Sequence, residues 1–191
     1  MNLPNALTLL RIFLVPLLLA VLLTRTESGV WVGTGIFGVA VATDYLDGYF
    51  ARRRNQVTRL GILLDPVADK LLTAAAFIAL VELDAVPAWM VFIIVGRELV
   101  VTGFRSIAAG RNIVIPASVL GKSKMALQVV AIFLLLLGRG QPMLRGPALV
   151  ALWLVVVVSV VSAADYFQRC WREVVKGPAR GDAGTRPAKV A

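Results

Sequence analysis

The chain has 191 residues, 59% of them hydrophobic and 16% charged, with a mean hydropathy of +0.82; this is too apolar for a water-soluble domain of its size and fits a bilayer. Lysine and arginine number 20 against 11 acidic residues, but the basic residues are sorted by loop and not gathered on one soluble face, which argues against nucleic acid as a partner. A single cysteine, Cys170, and no histidine exclude an intramolecular disulfide framework, a thiolate cluster and imidazole chemistry, so any metal is held by oxygen, as Mg²⁺ or its relative Mn²⁺ would be.

At about 20 apolar residues per crossing, the sequence predicts an all-α, polytopic integral membrane protein. Its six transmembrane helices fall at 5–24, 30–53, 60–82, 87–109, 118–138 and 147–169, with both termini cytoplasmic. The first run is broken by Arg11 and Pro16 and lacks a small-residue cleavage site, so it reads as a spanning helix and not as a removed signal. Taken alone, Asn5 and Thr8 fit a helix start at the membrane surface, and Arg11 fits a side chain snorkelling to the interface.

The second helix carries Gly29, Gly33, Gly35 and Gly38, a spacing suited to close helix packing. Its far end holds Asp44, Asp47, Gly48, Ala51 and Arg52, and the third helix opens with Gly61, Asp65 and Asp69. Arg52, Arg53, Arg54 and Arg59 fall in one short connection, and Arg105, Arg111, Lys122 and Lys124 lie around the connection two helices later. The turn between them carries Glu82 and Asp84. This alternation is the positive-inside pattern; it places both basic connections in the cytoplasm beside anionic headgroups of the cell (plasma or inner) membrane. Arg139 and Arg145, in an outward turn, are exceptions to it.

In the fourth helix Glu98, Thr102 and Arg105 recur at i, i+4 and i+7 beside Arg97, forming one polar stripe that should face the bundle interior. Gly121, Lys122, Ser123 and Lys124 open the fifth helix, with Gln128 one turn later. Residues 1–170 read as one membrane domain. The stretch 171–191, rich in Gly, Pro, Arg and Lys, reads as a basic, disordered cytoplasmic tail.

Four of the 11 acidic residues fall within 26 positions, Asp44 to Asp69, at the ends of apolar segments where uncompensated carboxylates cost several kcal/mol. Asp44 and Asp47 share a helix face, as do Asp65 and Asp69, and the short connection makes the two helices antiparallel. Four carboxylates can therefore converge at the cytoplasmic end, where they would repel one another unless divalent cations compensated them. The small residues Gly48 and Ala51 leave room for a phosphate ligand, and Arg52 adds a phosphate-matching fork one turn beyond.

Residues 44–69 match the pattern D-x-x-D-G-x-x-A-R-x(8)-G-x-x-x-D-x-x-x-D at every specified position, and in this they resemble the CDP-alcohol phosphatidyltransferases. The resemblance implies that Asp44, Asp47, Asp65 and Asp69 bind metal, two ions of Mg²⁺ or Mn²⁺, and that Asp69 also takes the proton of an attacking alcohol. It further implies contacts to a CDP-linked lipid from Gly48, Ala51, Arg52, Thr58 and Gly61. The opening residues Asn5, Thr8 and Arg11, followed by Pro16, look like the start of those family members that act on glycerol phosphate or form cardiolipin, and Asn5 and Thr8 join the CDP-lipid set.

Arg97-Glu98 at mid-helix is similar to the glycerol-phosphate branch, where the cardiolipin branch has Arg-Asp. On that resemblance Arg97, Glu98, Arg105, Lys122 and Lys124 form the pocket for the phosphate of glycerol 3-phosphate, although Met125 stands where the branch has Thr. The expected reaction moves the phosphatidyl group of CDP-diacylglycerol to glycerol 3-phosphate and releases CMP, in a homodimer among membrane lipids. The same chemistry on phosphatidylglycerol or inositol phosphate is one alternative. A divalent-cation transporter with buried carboxylates is another, of a different class.

Overall fold

A computed structural model describes residues 3–54, 59–110 and 119–176, with side chains at 3–7, 45–65, 108–123 and 169–176 outside the described set. The described residues are all-helical: α1 (Leu3–Leu22), α2 (Glu27–Arg54), α3 (Arg59–Glu82), α4 (Ala88–Gly110), α5 (Val119–Gly140) and α6 (Arg145–Lys176), with a short 3₁₀ turn at Pro142–Leu144. Both ends of α1 to α5 fall within three residues of the sequence expectation. The sixth helix runs on to Lys176, because Val174 and Val175 continue its apolar pattern past Cys170. Residues 177–191 of the expected tail lie outside the described residues.

Helix α1 packs against both α2 and α3, which touch each other much less. Helix α5 lies against α2 and α6, and α4 lies against α6 and α3. The core runs through the bundle as Leu18, Leu22, Phe37, Phe77, Leu80, Ile132, Leu136 and Leu152, all fully buried. Phe37 meets Phe133 of α5 edge to face at 5.0 Å between centroids.

The glycines of α2 divide by role. A Cβ at Gly33 would overlap the Leu22 side chain of α1, and one at Gly29 would strike Thr24 and the Val21 carbonyl. Both positions are therefore set by the α1–α2 approach. Gly35 has open space around it among the described residues, so it does not set the approach of α2 to the described neighbouring helices.

Three turns share one end of the bundle. Thr26 accepts the Gly29 amide at 3.0 Å and so caps α2, while the neighbouring Arg25 pairs with Glu82 at the end of α3. There α3 closes with Ala85 N–H on the Leu80 carbonyl and Asp84 N–H on Val81, both 2.9 Å. Asp84 at φ 55° occupies the left-handed position of this cap, a conformation that Asp tolerates better than most residues. Arg139 of α5 donates to the Leu83 carbonyl, and Trp89 of α4 stacks edge-on against Trp153 of α6. Arg145 donates to the Gly138 carbonyl at 3.4 Å. The two arginines that break the charge alternation thus cap the carbonyl ends of α3 and α5.

Large apolar side chains face outward on several helices, among them Phe13, Phe92, Leu99, Val150 and Val161. Among the described residues, the segment Pro142–Gln168 is long and apolar enough to cross a membrane by length and composition.

Candidate active site

At the end of the bundle opposite these turns, the long helices bring ionisable side chains inward. Asp44 sits about two thirds of the way along α2, and Asp69 sits in α3 between the buried Ala68 and Leu72. Arg11 of α1 is fully buried, and its Nη1 lies 2.8 Å from Asp44 Oδ1. It does not snorkel to a surface, because the carboxylate of α2 gives it a partner inside. Asp69 lies within electrostatic reach of Asp44, Arg11 and Lys70, so two of the four predicted carboxylates face one region with a guanidinium beside them. One turn after Asp69, Thr73 donates to the Asp69 carbonyl at 3.1 Å and stays inside its own helix.

Asp47 and Asp65 stand on the same helices at the expected positions, but their side chains lie outside the described set. Among the described residues, therefore, no three acidic groups converge. The side chains of Asn5, Ala51, Arg52 and Lys122 and the surroundings of Gly48 and Gly61 fall outside it too, and Thr58 lies outside the described residues altogether. Thr8 is described. It is buried on the same face of α1 as Arg11, one turn earlier.

A second polar cluster adjoins the first. Lys70, next in sequence to Asp69, donates to Thr102 Oγ1 of α4 at 2.6 Å. Arg97 Nη1 lies 3.2 Å from Glu98 Oε1, and its other terminal nitrogen donates to Ser162 of α6. Glu98 also pairs with Lys124 of α5, which is almost wholly buried beside Gln128. Lys70, Arg97 and Arg105 lie within electrostatic reach of one another, as do Lys124, Arg97 and Lys70. Among the described residues, four cations from three helices, Lys70, Arg97, Arg105 and Lys124, thus gather in one region where Glu98 pairs with Arg97 and Lys124, and so basic a region suits an anion. Arg105 is exposed at the rim.

Of the expected phosphate pocket, the structure brings Arg97, Glu98, Lys124 and Arg105 together. Glu98 pairs there with Lys124 and Arg97. Three participants escaped the sequence reading. Arg11 looked like an interfacial residue, Lys70 stood in the shadow of its neighbour Asp69, and Ser162 looked like one small residue in an apolar helix. The spacing of Ser159 and Ser162, both buried three residues apart in α6, was the available signal for an inward polar face.

The family model for CDP-alcohol phosphatidyltransferase matches residues 1–161. The chain belongs to the CDP-alcohol phosphatidyltransferase family. Within this phosphatidyltransferase family it is 43% identical, over 89% of its length and 95% of the relative's, to a Bacillus subtilis (strain 168) protein named CDP-diacylglycerol--glycerol-3-phosphate 3-phosphatidyltransferase. A Rickettsia bellii (strain RML369-C) protein of the same name is 34% identical over 88% of this chain and 95% of its own. A Mycobacterium tuberculosis (strain ATCC 25618 / H37Rv) protein, named "Probable phosphatidylglycerophosphate synthase", is 39% identical over 91% of this chain and 83% of its own. The matched region contains every residue of both polar clusters except Ser162.

Proposed function

We propose that this phosphatidyltransferase moves the phosphatidyl group of CDP-diacylglycerol to glycerol 3-phosphate, giving phosphatidylglycerol phosphate and CMP. The observation that carries this reading is the junction at Asp69 and Lys70, where the carboxylate centre meets the cation cluster. A small acceptor with a hydroxyl at one end and a phosphate at the other spans such a junction. The names of the relatives point to the same pair of substrates.

The donor set suits a hard divalent cation, because Asp44 and Asp69 offer only oxygen and the chain has no histidine. In this reading Asp44, Asp47, Asp65 and Asp69 hold two ions, Mg²⁺ or Mn²⁺. Bound there, the ions would neutralise the diphosphate and ease the departure of CMP. Asp69 receives the proton of the acceptor hydroxyl. The hydroxyl oxygen then forms its bond to the lipid-side phosphorus, the bond from that phosphorus to the bridging oxygen breaks, and CMP leaves with the electron pair. Arg97, Arg105, Lys122 and Lys124 bind the acceptor phosphate, with Glu98 holding Lys124 in place. Asn5, Thr8, Gly48, Ala51, Arg52, Thr58 and Gly61 line the CDP-lipid.

The same reading places all six helices across the cell membrane, as a homodimer with both termini and the site toward the cytoplasm. The outward apolar side chains and the polar inner clusters support it. The deciding experiment is CMP release by the purified protein with CDP-diacylglycerol and Mg²⁺. Turnover is expected with glycerol 3-phosphate and not with phosphatidylglycerol or inositol phosphate. The opposite pattern would overturn the choice of acceptor.

A further inference from the structure

Arg11 has a place in the carboxylate centre that the family motif does not describe, since the motif begins at Asp44. It is a long cationic side chain with no exposure, eight residues into α1, and it reaches across to α2 to meet Asp44 at 2.8 Å. Asp69 on α3 also lies within its electrostatic reach. Because α1 packs on both α2 and α3 more extensively than any other helix does, this guanidinium is carried by the helix best placed to reach both carboxylate-bearing helices. A buried guanidinium is strongly unfavourable without an anion, and Asp44, whose side chain is 37% exposed, supplies that anion while still open to a further cation. Arginine also keeps its charge in such a place and offers a rigid fork to a carboxylate.

We propose that Arg11 is a positioning residue for the metal centre, a built-in counter-ion that keeps Asp44 oriented and the Asp44–Asp69 pair compatible with folding when no cation is bound. The proposal rests on the reading of Asp44 and Asp69 as metal ligands. Its chemistry is that of a monovalent stand-in: Arg11 offsets part of the carboxylate charge and leaves the rest for divalent cations. A site held this way is formed before metal arrives, so metal binding does not have to order it.

The test compares thermal unfolding of the full chain in detergent, with EDTA and with Mg²⁺, for wild type, Arg11→Lys, Arg11→Gln and Arg11→Gln/Asp44→Asn. Removing the guanidinium leaves Asp44 without its paired cation, a loss that bound Mg²⁺ would offset. Arg11→Gln should therefore lose stability mainly in EDTA and show a Mg²⁺-induced rise in Tm roughly twice that of wild type. Arg11→Lys, which keeps the charge, should stay near wild type. In EDTA the double variant should be more stable than Arg11→Gln alone, since it no longer leaves the Asp44 carboxylate unpaired beside Asp69; recovery of folded protein serves as the same readout if Arg11→Gln fails to fold.

An equal loss of Tm in EDTA and Mg²⁺ would overturn the proposal and leave Arg11 a packing residue. A double variant no more stable than Arg11→Gln would overturn it as well. A wild type whose Tm ignores both Mg²⁺ and Mn²⁺ would instead remove the metal reading and the positioning role with it. Acceptor choice enters none of these measurements, so failure of the glycerol 3-phosphate assignment is seen separately.

Discussion

At the scale of single residues, the described inward carboxylates Asp44 and Glu98 each have a partner on another helix. Asp44 has Arg11, and Glu98 has Lys124 and Arg97. Glu98→Gln would leave the buried Lys124 unpaired and should cost about 3 kcal/mol of stability, the range seen when one member of a buried pair is removed. Thermal unfolding in detergent checks this, and Glu98→Gln/Lys124→Met should recover most of the loss. Asp69→Asn addresses the chemistry. Loss of the proton acceptor should lower kcat by at least about 10²-fold while CDP-lipid binding, measured by retention of labelled substrate, is largely kept. If binding disappears as well, Asp69 serves chiefly as a ligand. Arg105→Ala, at the exposed rim of the cation cluster, should mainly raise KM for glycerol 3-phosphate with kcat little changed.

At the scale of elements, contact between α1 and α2 decides whether Arg11 and Asp44 meet at all. Gly33 is what lets Leu22 seat between them. Gly33→Leu should therefore cost about 1–3 kcal/mol, as overpacking does, and should lower activity although it lies far from the chemistry; Gly35→Ala, in open space, should do neither. Parallel measurement of Tm and CMP release on the two variants separates the cases. Much of this level was legible in the sequence. Apolar run length and the Pro and Gly punctuation gave the bounds of the first five helices to within a few residues, and the aspartate motif singled out Asp44 and Asp69, which lie within electrostatic reach of each other. Which helices touch was not legible. The sequence makes α2 and α3 neighbours through their short connection, whereas α1 packs more extensively on each than they do on each other. Pairings such as Arg11 with Asp44, 33 positions apart, depend on that packing and leave no periodic trace. Lys70 shows the same limit, since its partner Thr102 sits on a helix whose distance no local pattern encodes.

At the scale of the whole molecule, polar groups are gathered inside one end while apolar side chains face out along the helices. If this surface is lipid-facing and the turn at Ser28 is extracellular, a Cys170→Ser/Ser28→Cys chain should react with an impermeant maleimide added to intact cells. Labelling only after permeabilisation would reverse the orientation. Chelation tests the carboxylate centre at this scale as well: EDTA should abolish CMP release, and Mg²⁺ or Mn²⁺ should restore it.

The turns at 23–26, 83–87 and 141–144 are short and meet at one end, where Arg25, Arg139 and Arg145 fasten neighbouring helices to each other. A set of rods clamped at one end is a lever. With helices about 30 Å long, tilting one by roughly 2° at the clamp displaces its free end by about 1 Å, the difference between a carboxylate that reaches its ligand and one that does not. The clamp therefore sets the tolerance of chemistry carried out at the opposite end. Substitutions there that leave the fold intact should be felt in the precision of the carboxylates before they are felt in stability.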